Sequence, residues 1–179
     1  MRIDDLDIKI AGDRPSEDIY RNKKLNDTDS AVSPEKIKGA KAVGYAVAES
    51  FINDASQSAD EEFRDYDMIV QRRLLLSFAA TVGFEQYIAN DTLAGIAQKS
   101  FLDTVANNSD ELYKTSSDTG AFSFYYLAFR RGSEVERRMG QTFAMLCSHD
   151  GDPIYQELGE ALYCWFSSVV RKAVAKYMV

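Results

Sequence analysis

The residues best placed to do chemistry in this chain are carboxylates: a run of Asp60, Glu61, Glu62, Asp65 and Asp67, and a pair, Glu157 and Glu160. Carboxylates one helical turn apart can share a divalent cation, the arrangement by which magnesium is held against phosphate compounds. Both sets fall off the apolar stripes of their own helices, so the reading here is of solvated faces and no metal ligand is assigned. His149 is the only histidine, which excludes His-x-His sets and paired Glu-x-x-His sites. Cys147 lies two residues before it, but close sequence neighbours rarely present nucleophile and base to one another, and His149 falls in a turn.

Positive charge gathers at one junction. Arg130, Arg131, Arg137 and Arg138 are the candidate anion-binding residues, with the backbone N–H groups of a helix start at Ser133 to Val135 beside them. The competing reading pairs Arg137 and Arg138 with Glu134, Glu136 or acidic residues near the N-terminus, and lets Arg130 and Arg131 complement a helix end. No Gly-x-Gly-x-x-Gly, Gly-x-x-x-x-Gly-Lys or Gly-x-Ser-x-Gly sequence is present, so the nucleotide and hydrolase fingerprints are lacking.

The junction follows the most aromatic stretch of the chain, Ala121 to Phe129. Phe122, Tyr125, Tyr126 and Phe129 recur at helical spacing on one face, and Phe124, Leu127 and Ala128 make the other faces apolar too. These four, with Tyr163, are the candidate pocket residues, the hydroxyls of Tyr125, Tyr126 and Tyr163 being available to orient a ligand. A helix apolar all round more commonly sits in a core, which is the expectation here.

Only three prolines interrupt the 179 residues, leaving long windows in which helices can propagate. The hydrophobic fraction, 45%, suffices for a core. The net charge of −7 disfavours nonspecific attraction to nucleic acid or anionic membranes. Cys147 and Cys164 each lie in an apolar helical window without Cys-x-x-Cys spacing, as buried reduced thiols would. The first residues hold no apolar signal run, and the window from Ala161 to Val174 is broken by Arg171 and Lys172. The expected location is the cytoplasm.

Residues 1–33 establish no helical stripe and read as a flexible or partner-binding tail. From Ser33 and Pro34 a first helix carries small residues, Gly39, Ala40, Val43, Gly44, Val47 and Ala48, that let a neighbour approach closely. Ser58 with Glu61 resembles a capping box opening a second helix, apolar all round from Ile69 to Val82, with Gly83 a point of kinking or ending. A third runs from about Asp91 to Ala106, followed by a turn at 110–114 and a loop at 116–120. After the aromatic helix, Ser133 and Glu136 form another capping box. Asp152 and Pro153 open the last helix, whose expected inward stripe is Ile154, Leu158, Ala161, Leu162, Trp165, Val169, Ala173 and Tyr177.

These readings imply an all-α fold, an antiparallel helical bundle of about six helices over residues 34–179. The expected function is noncatalytic association with protein, as a homodimer, through the tail or the small-residue first helix. The alternative is a ligand-binding or magnesium-dependent enzyme acting on a phosphate compound, through an acidic cluster or the arginine junction. No cofactor is expected; the partners anticipated are a second copy or another protein, with a small anionic ligand as the other possibility.

Overall fold

The computed structural model describes residues 32–58, 66–118 and 120–178. Nearly all of the expected tail lies outside them, as do Asp60, Glu61, Glu62 and Asp65 of the acidic run. The described residues form an all-α fold of seven helices: α1 (Pro34–Ser58), α2 (Tyr66–Tyr87), α3 (Asp91–Asn108), α4 (Asp110–Ser117), α5 (Ser123–Arg130), α6 (Val135–Leu146) and α7 (Pro153–Tyr177).

Several helix starts follow directly from side-chain chemistry. The Asn90 side chain accepts from the Leu93 N–H at 3.0 Å, and that of Asp152 from the Ile154 N–H at 2.9 Å, satisfying N–H groups that a helix start leaves orphaned. Ser109 ends α3 and caps α4, accepting from the Leu112 N–H. That cap extends the expected turn into an eight-residue helix. Ser116, expected in a loop, is buried on α4, where its hydroxyl donates to the Leu112 carbonyl at 2.8 Å and accepts from Ser77 at 3.0 Å.

Of the two expected capping boxes, the one at Ser58 has its Glu61 outside the described residues, and Ser58 is itself the last residue of α1. The second does not form. There, Gly132 and Glu134 both take left-handed backbone, with φ of 80° and 51°, to turn the chain from α5 into α6. Helix therefore starts at Val135, and the Ser133 hydroxyl accepts from Arg138 Nη2 at 3.2 Å instead.

The core is organised on α2. Every residue from Leu74 to Ala80 is buried, as the all-round apolar pattern requires, and the helix runs unbroken through Gly83. A Cβ at Gly83 would press on the Val170 side chain, so glycine there admits α7. α1 packs chiefly on α3 and α7, and α6 on α7. Glycines set both closest approaches: a Cβ at Gly44 would run into the Ala97 carbonyl oxygen of α3, and one at Gly140 into the Gln156 carbonyl oxygen of α7.

The inward face of α7 differs from the expected stripe. Gly159, Leu162, Tyr163, Phe166, Val170 and Ala173 are buried, while Ile154, Ala161 and Trp165 are exposed. Gly159 receives the Phe143 ring, since any Cβ there would meet it, and this seat turns the helix about one residue from the expected orientation.

Candidate functional site

The candidate site is built by α5, the turn after it and α6. α5 is a short helix lying beside Phe78 of α2, which gathers four rings: Tyr126 edge-on at 5.0 Å, Tyr125 stacked at 5.6 Å, Phe122 at 5.8 Å and Phe129 at 6.2 Å. Phe122 and Tyr125 are fully buried there and serve as core. The Tyr125 hydroxyl has no hydrogen-bond partner, and burial pushes its phenol well above the usual tyrosine range. Tyr126 is half-buried; burial and then Glu85 raise its pKa, opposed by Arg130.

The five candidate pocket residues thus divide. Phe129 and Tyr163 line an open groove of about 600 Å³, shared with Glu136, Cys164, Ser167 and Arg171. Burial, opposed by the hydrogen bond with Ser167 and aided by Tyr87, Glu136 and Cys164, pushes the Tyr163 phenol up to about 12. Cys164, expected to be buried, is exposed; partial desolvation first, then Glu136 and Glu160, raises its thiol, so the groove's one thiol is held protonated at neutral pH.

The four candidate arginines divide as well. Arg130 is exposed at the end of α5, and Arg137 is exposed with Glu134 at 3.5 Å. Arg131 and Arg138 come together on a second groove, of about 380 Å³, on the other side of α5. Its walls include Phe124, Leu127 and Met145, which are 52%, 61% and 41% exposed. Arg138 Nη1 is shielded from solvent and has no acceptor, although Nη2 donates to Ser133. Arg131, exposed on the same groove, is the guanidinium that a carboxylate or phosphate oxygen can reach.

Phe124 and Leu127 are the residues that pattern reading misplaced, and Met145 is one it did not single out. The all-round apolar character of α5 pointed to enclosure, yet only Tyr125 and Ala128 of its eight residues are buried. The one available signal was the juxtaposition of Leu127 with Arg130 and Arg131, an apolar surface ending in charge. The remaining chemical candidates sit apart. Cys147 is buried, and the His149 ring stacks on Tyr155 at 3.7 Å, holding the turn into α7. Arg72 binds Asp54, with Nε to Oδ2 at 2.9 Å, and Arg73 binds Glu111 at 2.7 Å, so neither extends a basic surface toward the arginine junction. Among the described residues no group of three or more His, Cys, Asp or Glu side chains is placed to hold a metal ion, and no helix is long and apolar enough to cross a membrane.

Comparison with known protein families, curated proteins and solved structures finds no match for this chain.

Proposed function

We propose that this is a noncatalytic protein of the cytoplasm that acts through protein association, assembling as a homodimer through the outward face of α7. The observation that carries the reading is the exposure of Ile154, 73%, and Trp165, 43%, on a helix whose opposite face is core. Ile154, Leu158, Ala161 and Trp165 follow one another at intervals of four, three and four residues, the spacing of an interhelical seam. Apolar residues gathered this way on one exposed strip are characteristic of contact surfaces, whereas single exposed residues are ordinary.

Charge supports a direction for the pairing. Glu157 and Glu160 lie in the first half of α7, and Arg171, Lys172 and Lys176 in the second. An antiparallel pair about a two-fold axis sets acid against base, whereas a parallel pair stacks like on like. The small-residue stripe of α1, which with the tail was the surface expected to mediate contact, is occupied inside the molecule by α3 and α7. A cytoplasmic site is favoured by Cys164, an exposed free thiol.

Light scattering at high micromolar concentration tests the proposal directly. A dimer is expected, and Trp165→Ser with Ile154→Ser should convert it to a monomer of unchanged far-ultraviolet circular dichroism. Because Trp165 is the only tryptophan, its emission should also shift to the blue as concentration rises. A wild-type chain that stays strictly monomeric would overturn the homodimer.

A further inference from the structure

We infer that the groove between α5 and α6 is a docking site for an acidic, amphipathic peptide segment of a partner protein. It lies apart from the α7 seam and does not depend on it. Two kinds of surface meet there, and each excludes a simpler occupant. Phe124, Leu127 and Met145 give it apolar walls that a bare phosphate would leave in water. Arg131 and Arg138 give it positive charge that a purely apolar ligand would bury unpaired, at a cost no hydrophobic contact of this size offsets.

The arginines are also unclaimed. Among the described residues neither makes an ion pair, in contrast to Arg72, Arg73 and Arg137. Arg131 is exposed on the groove, where an incoming carboxylate can reach its guanidinium, and Arg138 adds its positive charge to the same wall while Nη2 donates to the Ser133 hydroxyl. Asp150 also lines the groove and repels acid beside it, which directs a partner's carboxylates to Arg131 and Arg138. The chain's net charge of −7 opposes an acidic partner only at long range. At physiological salt the Debye length is about 8 Å, so remote acid is screened while contacts inside the groove are not. Side chains alternating between carboxylate and aliphatic, carried on one short segment, match both surfaces at once.

The test is fluorescence anisotropy with a labelled synthetic peptide of Leu, Glu and Ala in amphipathic helical order, titrated with the full chain. Control peptides carry Lys for every Glu or Ser for every Leu, and inorganic phosphate serves as competitor. The Leu/Glu peptide should bind, both controls should bind more weakly by about tenfold, and phosphate should fail to displace it. Arg131→Glu and Leu127→Ser, both at exposed positions, should each weaken binding by about tenfold while leaving the circular dichroism unchanged. Trp165→Ser should bind as wild type, separating this site from the dimer seam. Absence of binding at high micromolar protein overturns the proposal, as does equal binding of the Lys peptide or indifference to both groove variants. Full displacement by phosphate together with undiminished binding of the Ser peptide would reduce the groove to a plain anion site and overturn it as well.

Discussion

α1 and α7 are both helices of 25 residues, and both carry more apolar side chains than one inward stripe requires. They handle the surplus in opposite ways. In α1 the residues are small: Ala40, Val43, Val47 and Ala48 are fully buried, and Gly44 meets the α3 backbone itself. In α7 the surplus is large, and Ile154 and Trp165 face outward because the inward side is already filled by Leu162, Tyr163, Phe166 and Val170. Small apolar residues bring helices together, and large ones beyond the first stripe have no room beside them. α5 shows both behaviours within eight residues, closed toward Phe78 and open toward the arginine groove.

The closed side of this comparison predicts the largest effect. Gly44→Ala should destabilise the protein by about 3 kcal/mol, because its methyl group must displace the Ala97 carbonyl or the Ser100 side chain, neither of which is the free end of a flexible side chain. Ile154→Ser, on the open side, should change stability by less than about 0.5 kcal/mol at concentrations where the chain is monomeric. Urea denaturation of the two variants measures the contrast. Equal losses would mean that α1 and α7 are not packed as differently as their exposures indicate.

What the sequence conveyed, and what it withheld, divides along the same line. Helix starts governed by one side chain were legible: Asn90 and Asp152 cap α3 and α7 where their residue types predict. The burial of residues 74–80 followed from a pattern apolar on every side. The orientation of α7 was not legible, because two overlapping apolar stripes lie about 100° apart and periodicity does not choose between them. The choice is made by Gly159 accepting Phe143, a contact between residues distant in sequence. Which of the four candidate arginines share a groove depended on the left-handed turn through Gly132 and Glu134. Nothing in Ser133 or Glu136, residues that suit a capping box, announced that turn.

The closed side of α5 can be sharpened with Tyr125. Its hydroxyl is buried beside Phe78 with no partner, so it has given up water without compensation. Tyr125→Phe should raise stability by about 1 kcal/mol, the reverse of what removing a satisfied hydroxyl does. The same buried phenol makes stability depend on pH. Its folded-state pKa lies above the unfolded value near 10, so the folded chain holds the proton more tightly, and stability is lost as pH rises above about 10. The variant should show a shallower alkaline decline in urea midpoint than wild type. An identical decline would mean that Tyr125 reaches water in the folded state.

The smallest effect concerns the open side of α7, at Cys164. Burial is the chief cause that raises this thiol, and the carboxylates of Glu136 and Glu160 add to it. A raised pKa leaves less thiolate at any pH below it, so alkylation at pH 8 should be slower than for an unperturbed cysteine, with the rate climbing as pH passes 9. Glu136→Gln removes one negative charge and should move the pH–rate profile to lower pH by a fraction of a unit, leaving the larger contribution of burial in place. Mass spectrometry of iodoacetamide-treated native protein resolves Cys164 from Cys147, whose burial should keep it nearly unmodified and make it an internal report that the fold is intact. A profile unmoved by Glu136→Gln would place Glu136 too far from the thiol to be felt. A profile centred below that of a free thiol would mean that the basic half of α7 governs its outer surface, which would also weaken the acid-to-base alignment proposed for the dimer.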